Sequence, residues 1–166
     1  MDYRISLFTL TRRRFYGGLM AVILSLLVVG GLQGTVAEPS LSERHSLRGA
    51  ELVEAGKFEA ARRALELAMV ADPKNARAIV WLGQAHAGLG NLEISEKYFN
   101  TAMSISPDDP QILLIVGKSD VAKGALDAAR EKLRRLTVLC GETCPQTLAL
   151  TQAMRESGGA PARGSN

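Results

Sequence analysis

Two cysteines carry the most specific covalent chemistry in this sequence. Cys140 and Cys144 enclose the segment Gly-Glu-Thr, just beyond the end of a predicted helix. Two cysteines four residues apart, with a glycine between them, can bend into disulfide geometry. Loop-closure entropy for so short a ring contributes on the order of 2 kcal/mol at most. We therefore predict a disulfide that fixes the turn into the last helix. Thiol-redox activity is a remote alternative, because the spacing is one residue longer than in the thioredoxin type.

The other reactive side chains do not form a recognisable site in the sequence. The two histidines, His45 and His86, have neither a metal-binding spacing nor a cysteine nearby. A hydrolytic triad of Ser46, His86 and Asp120 has no feature that marks these residues as activated. The sequence also lacks the Gly-Lys-Ser/Thr motif of phosphate-binding loops. We therefore predict no catalytic residue, no metal and no cofactor, and a protein that is not an enzyme.

The charges are distributed unevenly along the chain. Of its 166 residues, 46% are hydrophobic and only two are cysteines, which excludes collagen-like, wholly disordered and disulfide-dense chains. The chain has 20 basic and 17 acidic residues, and residues 1–37 hold four arginines against one aspartate. The remaining chain, with 16 residues of each sign, is electrically balanced. A nucleic-acid partner is therefore not predicted.

The N-terminal segment has the organisation of an export signal or a membrane anchor. Three consecutive arginines precede eighteen uncharged residues, 15–32, and small residues follow. Cleavage after Ala37 would make residues 1–37 a signal peptide. Without cleavage, the apolar stretch would form a helix of about 27 Å, just long enough to span a bilayer. Residues 11–15 also resemble the twin-arginine signal, so the export route stays open.

Both alternatives place the rest of the chain on the same side of the membrane. The arginines are expected to stay in the cytoplasm, and everything after them to be exported. We therefore expect a protein that is periplasmic, or anchored in the inner membrane and facing the periplasm. Membrane contact is expected only through the N-terminal segment.

A period of 34 residues organises the exported part. The columns in phase are Gly49, Gly83 and Gly117; Gly56, Gly90 and Gly124; Phe58, Leu92 and Leu126; Ala61, Ser95 and Ala129; Leu65, Phe99 and Leu133; Ala68 and Ala102; and Pro73 and Pro107. Such a period is the signature of stacked supersecondary units. Apolar residues at helical spacing on both sides of a glycine predict two helices in each unit.

The predicted fold is therefore all-α, an α-solenoid that follows the N-terminal signal or transmembrane helix. The units cover residues 42–75, 76–109 and 110–143, an end helix covers 145–157, and a polar tail covers 158–166. Solenoids need their ends covered to stay soluble, which is the role expected of the end helix. The small, polar tail is predicted to be disordered.

The periodic residues resemble the tetratricopeptide repeat, a helix-turn-helix unit that stacks into a right-handed superhelix. The matching residues in the second unit are Trp81-Leu82-Gly83, Gly90-Asn91-Leu92, Tyr98-Phe99, Ala102 and Pro107. The resemblance covers about residues 42–140. It is weaker at His45 and Arg48 in the first unit, and at Asp120 and Gly141 in the third, where the family has large apolar, aromatic or proline residues. These departures suit end units whose outer faces meet water.

The resemblance implies a concave face, formed by the first helix of each unit, that binds a polypeptide. Its residues in the second and third units are Arg77, Val80, Gln84, Gln111, Leu114, Lys118 and Val121. Arg77 and Lys118 would be positive points beside an apolar strip of the two valines and the leucine. An extended or helical segment with an acidic group would fit such a face. The carboxylate clamp of some chaperone-binding relatives is absent, because Val80 and Gln84 stand where it needs a lysine and an asparagine.

Two functions from different classes are compatible with these sequence features. The favoured one is an exported scaffold that captures another protein or peptide on the concave face. The alternative is a structural envelope protein that self-associates into a homo-oligomer through stacked ends or the end helix.

Overall fold

Seven α-helices make up the regular structure in residues 38–158, the part of the chain that the computed structural model describes. They are α1 (Leu41–Glu54), α2 (Phe58–Ala71), α3 (Ala76–Gly88), α4 (Leu92–Ile105), α5 (Pro110–Ala122), α6 (Leu126–Cys140) and α7 (Pro145–Gly158). The first six form three helical hairpins in series, and α7 packs against α5 and α6. The predicted all-α class and its helix-turn-helix units are therefore confirmed.

The predicted signal peptide or membrane anchor at residues 1–37 lies outside the described residues and stays a prediction. The same holds for the tail from residue 159 onward, whereas Gly158 is the last residue of α7. Among the seven helices described, none is both long and apolar enough to cross a membrane.

Local sequence signals explain where the hairpins begin and turn. The turns contain glycines with positive φ, namely Gly56 (+70°), Gly90 (+81°) and Gly124 (+76°). A side chain with a Cβ is disfavoured in this conformation. The first helix of each unit is preceded by a capping residue, Ser40, Asn75 or Asp109, whose side-chain oxygen accepts a backbone N–H from the first helical turn. Such caps satisfy amide groups that have no partner within the helix.

Close packing at a glycine joins the two helices of the first and second hairpins. A Cβ placed on Gly49 would lie 2.3 Å from Cγ of Leu65, and one placed on Gly83 would lie 2.7 Å from the ring of Phe99. Leu65 and Phe99 are almost fully buried as a result. The glycine column and the large apolar column of the sequence are thus two sides of one contact.

The third hairpin forms this contact with the end helix instead. A Cβ on Gly117 would lie 2.7 Å from Cδ2 of Leu150, which belongs to α7 and is fully buried. Leu133, the residue in the large apolar column, is only half-buried. Leu136 of α6 is fully buried in the same cluster as Leu150. The end of the solenoid is therefore a three-helix unit of α5, α6 and α7.

Candidate functional site

The predicted concave-face residues lie on α3 and α5, which are in contact with each other. Two of them are not available to a partner, because Val80 is fully buried and Val121 is 8% exposed. Val80 packs with Phe99 and Ile112 in the core between the second and third units. Val121 belongs to the core of the third unit and α7. The expectation of an exposed apolar strip is therefore corrected: these two positions are structural.

The remaining predicted residues are more accessible. Leu114 is half-buried and packs against the core of the third unit, and Gln84 and Gln111 are also half-buried. Arg77 and Lys118 are exposed. The face that a partner would meet is thus mainly polar.

Arg77 has a structural partner that the sequence did not reveal. Its Nε lies 2.9 Å from Oδ2 of Asp109, and Oδ1 of Asp109 accepts the backbone N–H groups of Gln111 and Ile112 at the start of α5. The first junction has a similar link, in which Asn75 caps α3 and donates from Nδ2 to Oγ of Ser42. Arg77 therefore connects two units, and it is not a free cation awaiting a ligand.

Lys118 is the predicted positive point that stays open. It is exposed, and none of the ion pairs formed within residues 38–158 involves it. Its side chain lies at the edge of a cleft between the second and third units, together with Gln84. The structure thus brings together two of the seven predicted residues.

The cleft has a volume of about 490 Å³ and is formed by three helices. Its lining residues are Gln84, Ala87 and Gly88 of α3, Leu92, Ser95 and Glu96 of α4, and Lys118, Ser119, Ala122 and Lys123 at the end of α5. The contribution of α4 was missed at the level of sequence, because the family resemblance assigns the concave face to first helices only. The sequence nevertheless contained a signal for a cleft at α4. Leu92, the first residue of α4, is smaller than Phe58, which has the same repeat position one unit earlier.

The charges on the cleft wall are partly neutralised. Nζ of Lys123 lies 2.7 Å from Oε2 of Glu96 and 3.6 Å from Oδ1 of Asp120. Burial alone would lower the pKa of Lys123, but the hydrogen bond to Glu96 and the charge of Asp120 outweigh burial and raise it. Asp120 in turn pairs with Lys132 of α6, at 2.7 Å. Lys118 is therefore the positive charge on the cleft that these pairs leave uncompensated.

His86 has a packing role in the structure. It is 9% exposed and stacks on Tyr98, with ring centroids 5.4 Å apart. Burial lowers the pKa of His86, and the positive charge of Arg62 lowers it further. The described part of the chain contains no group of three His, Cys, Asp or Glu side chains placed to hold a metal ion.

Cys140 and Cys144 form a disulfide in the structure, with Cα atoms 5.6 Å apart. The bond joins the last residue of α6 to the residue that precedes α7. It therefore ties the end helix to the third hairpin at the point where the family has a closing proline.

The comparisons with known proteins agree with this geometry. The family model described as Tetratricopeptide repeat matches residues 52–118, from the end of α1 into α5. No curated protein is significantly similar to the chain. The matched stretch contains the whole of α2, the whole second hairpin and most of α5. Residues 52–118 are therefore similar to the tetratricopeptide repeat, whose copies generally mediate protein–protein interaction.

Proposed function

We propose that this chain is an exported scaffold that captures a partner polypeptide on the face formed by α3 and α5. The observation that carries the proposal is the cleft of about 490 Å³ between the second and third units, with exposed Lys118 at its edge. Concave sites lined by apolar side chains and a few polar groups are the usual places for ligands.

The frame around the cleft is organised before a partner arrives. The ion pair of Arg77 with Asp109 fixes the start of α3 against the start of α5, and the pair of Lys123 with Glu96 fixes the end of α5 against α4. Both pairs connect different helices and add about 0–1 kcal/mol each to the packing of α5 against α3 and α4. A site that needs no reordering loses less free energy on binding.

The exported location rests on the N-terminal segment and on the disulfide. An arginine-rich start followed by eighteen uncharged residues favours export. The bond between Cys140 and Cys144 is the type of link that persists in oxidising compartments such as the periplasm.

Capture by matched charge-reversal variants tests the binding function. The tagged full chain, its Lys118→Glu variant and its Arg130→Glu variant are used to capture proteins from an envelope extract of the source cells. Arg130 is a suitable control because it is also exposed but lies on α6, outside the cleft, where its ion pair with Asp127 joins residues of the same helix. We expect at least one partner whose recovery falls by about tenfold with Lys118→Glu only. Equal recovery with all three proteins would overturn the proposal.

Self-association is the second candidate, and one observation favours it. Val70 and Val138 occupy the same repeat position two units apart, and both are 81% exposed. Large apolar residues on the outer helices could pair copies of the chain. Size-exclusion chromatography with light scattering distinguishes the two functions. A monodisperse monomer would argue against self-association, and a stable oligomer that Val138→Ser dissociates would favour it.

A further inference from the structure

The two junctions between units differ in what fills the space beside the hairpin turns. At the first junction the ring of Phe58, the first residue of α2, lies against Gly88 at the end of α3. A Cβ placed on Gly88 would be 2.5 Å from Cδ1 of that ring. Phe58 also packs against the buried cluster that contains Val53. At Gly88 the first junction is thus filled by an aromatic side chain of the chain itself, and a shallower cavity of about 450 Å³ lies on the other side of the ring, beside Gly56 and Arg63.

The equivalent space at the second junction is open. The residues one period later are Leu92 in place of Phe58, Ala87 in place of Val53, and Ala122 in place of Gly88. Two of these three changes remove side-chain volume from the cleft walls. Leu92 is 61% exposed, and all three residues line the cleft of about 490 Å³. The ring of Phe58 at the first junction therefore indicates that an aromatic ring fits the equivalent space at the second.

We propose that the cleft between the second and third units is a socket for an aromatic side chain of the bound polypeptide, with a nearby carboxylate of that polypeptide paired to Lys118. This inference rests on the proposed binding function and specifies the chemistry of the partner. The ring takes the place that Phe58 occupies one unit earlier. It lies among Ala87, Leu92 and Ala122.

The charges around the cleft favour an acidic neighbour for the ring. Lys118 is exposed and forms no ion pair with the residues of α1 to α7. Glu96, the acidic residue on the cleft wall, is already paired with Lys123 at 2.7 Å. A carboxylate near Lys118 thus meets a positive charge without displacing an existing partner. Ser119, which lines the cleft one residue after Lys118, adds a half-buried hydroxyl group.

Short peptides of defined sequence are the probes for the socket. The full chain, with its disulfide intact, is titrated with acetyl-Gly-Phe-Asp-Gly-amide, and methyl resonances are followed by NMR. We expect shifts centred on Ala87, Leu92 and Ala122. A peptide with alanine in place of phenylalanine should bind about tenfold more weakly, because it loses the burial of the ring. A peptide with lysine in place of aspartate should also bind more weakly, because it places a like charge beside Lys118.

Variants that close the socket provide the matched test. The double substitution Leu92→Phe with Ala122→Gly restores two of the three residues of the first junction, and we expect it to weaken binding of the phenylalanine peptide by at least about tenfold. Leu126→Phe is the control, because it places the same new ring in the same column outside the cleft. If the double variant fails to fold, as judged by circular dichroism, Ala87→Val restores the third residue and fills the cleft from α3.

The outcomes separate this inference from the function on which it rests. Shifts elsewhere in the chain, or unchanged affinity in the variants that fill the cleft, would overturn the socket. A cellular partner that depends on Lys118 but binds the double variant normally would leave the binding function intact without the socket. Peptide binding at the methyl groups of these three residues, with no partner that depends on Lys118, would leave the socket intact without the cellular function.

Discussion

The glycine in the first helix of each hairpin packs against a different helix in the first two hairpins than in the third. Gly49 and Gly83 each meet a large residue of their own second helix. Gly117 meets Leu150 of α7, although Leu133 stands in the matching column of α6. A periodic sequence therefore indicates that the glycine of each unit packs against a large apolar residue. At the end of the array, that residue comes from a different helix.

The buried centre of each unit shows a second contrast. His86 in the second unit is a buried ring stacked on Tyr98, whereas Asp120 one period later is a buried carboxylate beside Lys132 and Lys123. A buried charge needs partners, and both lysines come from the third hairpin. The third unit thus replaces aromatic packing with a network of charges, next to the cleft that the second unit helps to form.

The largest expected effect compares one repeat column in two units. Phe99→Ala should lower the free energy of unfolding by about 3–5 kcal/mol, because it leaves a cavity beside Gly83. Leu133→Ala, in the same column, should cost only about 1 kcal/mol because the side chain is half-buried. Urea denaturation of both variants measures the difference. Equal losses would mean that the third hairpin packs like the second.

The second-largest effect concerns α7, whose Leu150 packs against Gly117 where the repeat pattern indicates Leu133. Leu150→Ala should cost about 3 kcal/mol, because Leu150 is fully buried against Gly117. Contacts in a solenoid are mainly between neighbours, so hydrogen exchange should rise in α5 to α7 and stay low in α1 to α3. Leu148→Ala is the control, since Leu148 is 55% exposed on the same helix. A uniform rise along the chain would contradict a separate end unit.

The fold was predictable from sequence because its determinants recur at a fixed spacing. A glycine and a large apolar residue in phase indicate a close helix contact, and the second glycine column indicates the turns, where Gly90 has a positive φ in the structure. The contact of Gly117 with Leu150, where the repeat pattern indicates Leu133, was not predictable in this way. It depends on the packing of α7, which stands one period after α5 but has no second helix paired with it in residues 38–158.

The candidate site was only partly predictable. The resemblance assigned residues to the concave face by their place in a helix, but the burial of Val80 is decided by Ile112 in the next unit. The partner of Arg77 is Asp109, 32 residues away, and no local pattern marks that pair. The cleft depends on a loss of volume within a column, from Phe58 to Leu92. This difference is visible in the sequence only after the two junctions have been aligned.

Removal of the disulfide should have a smaller effect than Leu150→Ala. The ring closed by Cys140 and Cys144 is short, so Cys140→Ser with Cys144→Ser should lower stability by about 2 kcal/mol or less. The loss should appear mainly as faster hydrogen exchange at the start of α7. Reductant should change the stability of the wild-type chain by a similar amount and leave the double variant unaffected. No change in the wild type would show that packing alone holds α7 in place.

The smallest effect is a pH dependence that distinguishes the second unit from the third. Burial and the charge of Arg62 lower the pKa of His86, so the folded chain keeps this ring neutral where the unfolded chain takes up a proton. Because the unfolded state then binds more protons, the free energy of unfolding falls as pH drops through about 6.5, the ordinary histidine value. His86→Phe keeps a ring against Tyr98 and should flatten the dependence of the free energy of unfolding on pH. His45→Asn is the control, because it retains His86 and should keep this dependence. Equal slopes in the wild type and His86→Phe would show that the buried ring of the second unit does not set the pH response.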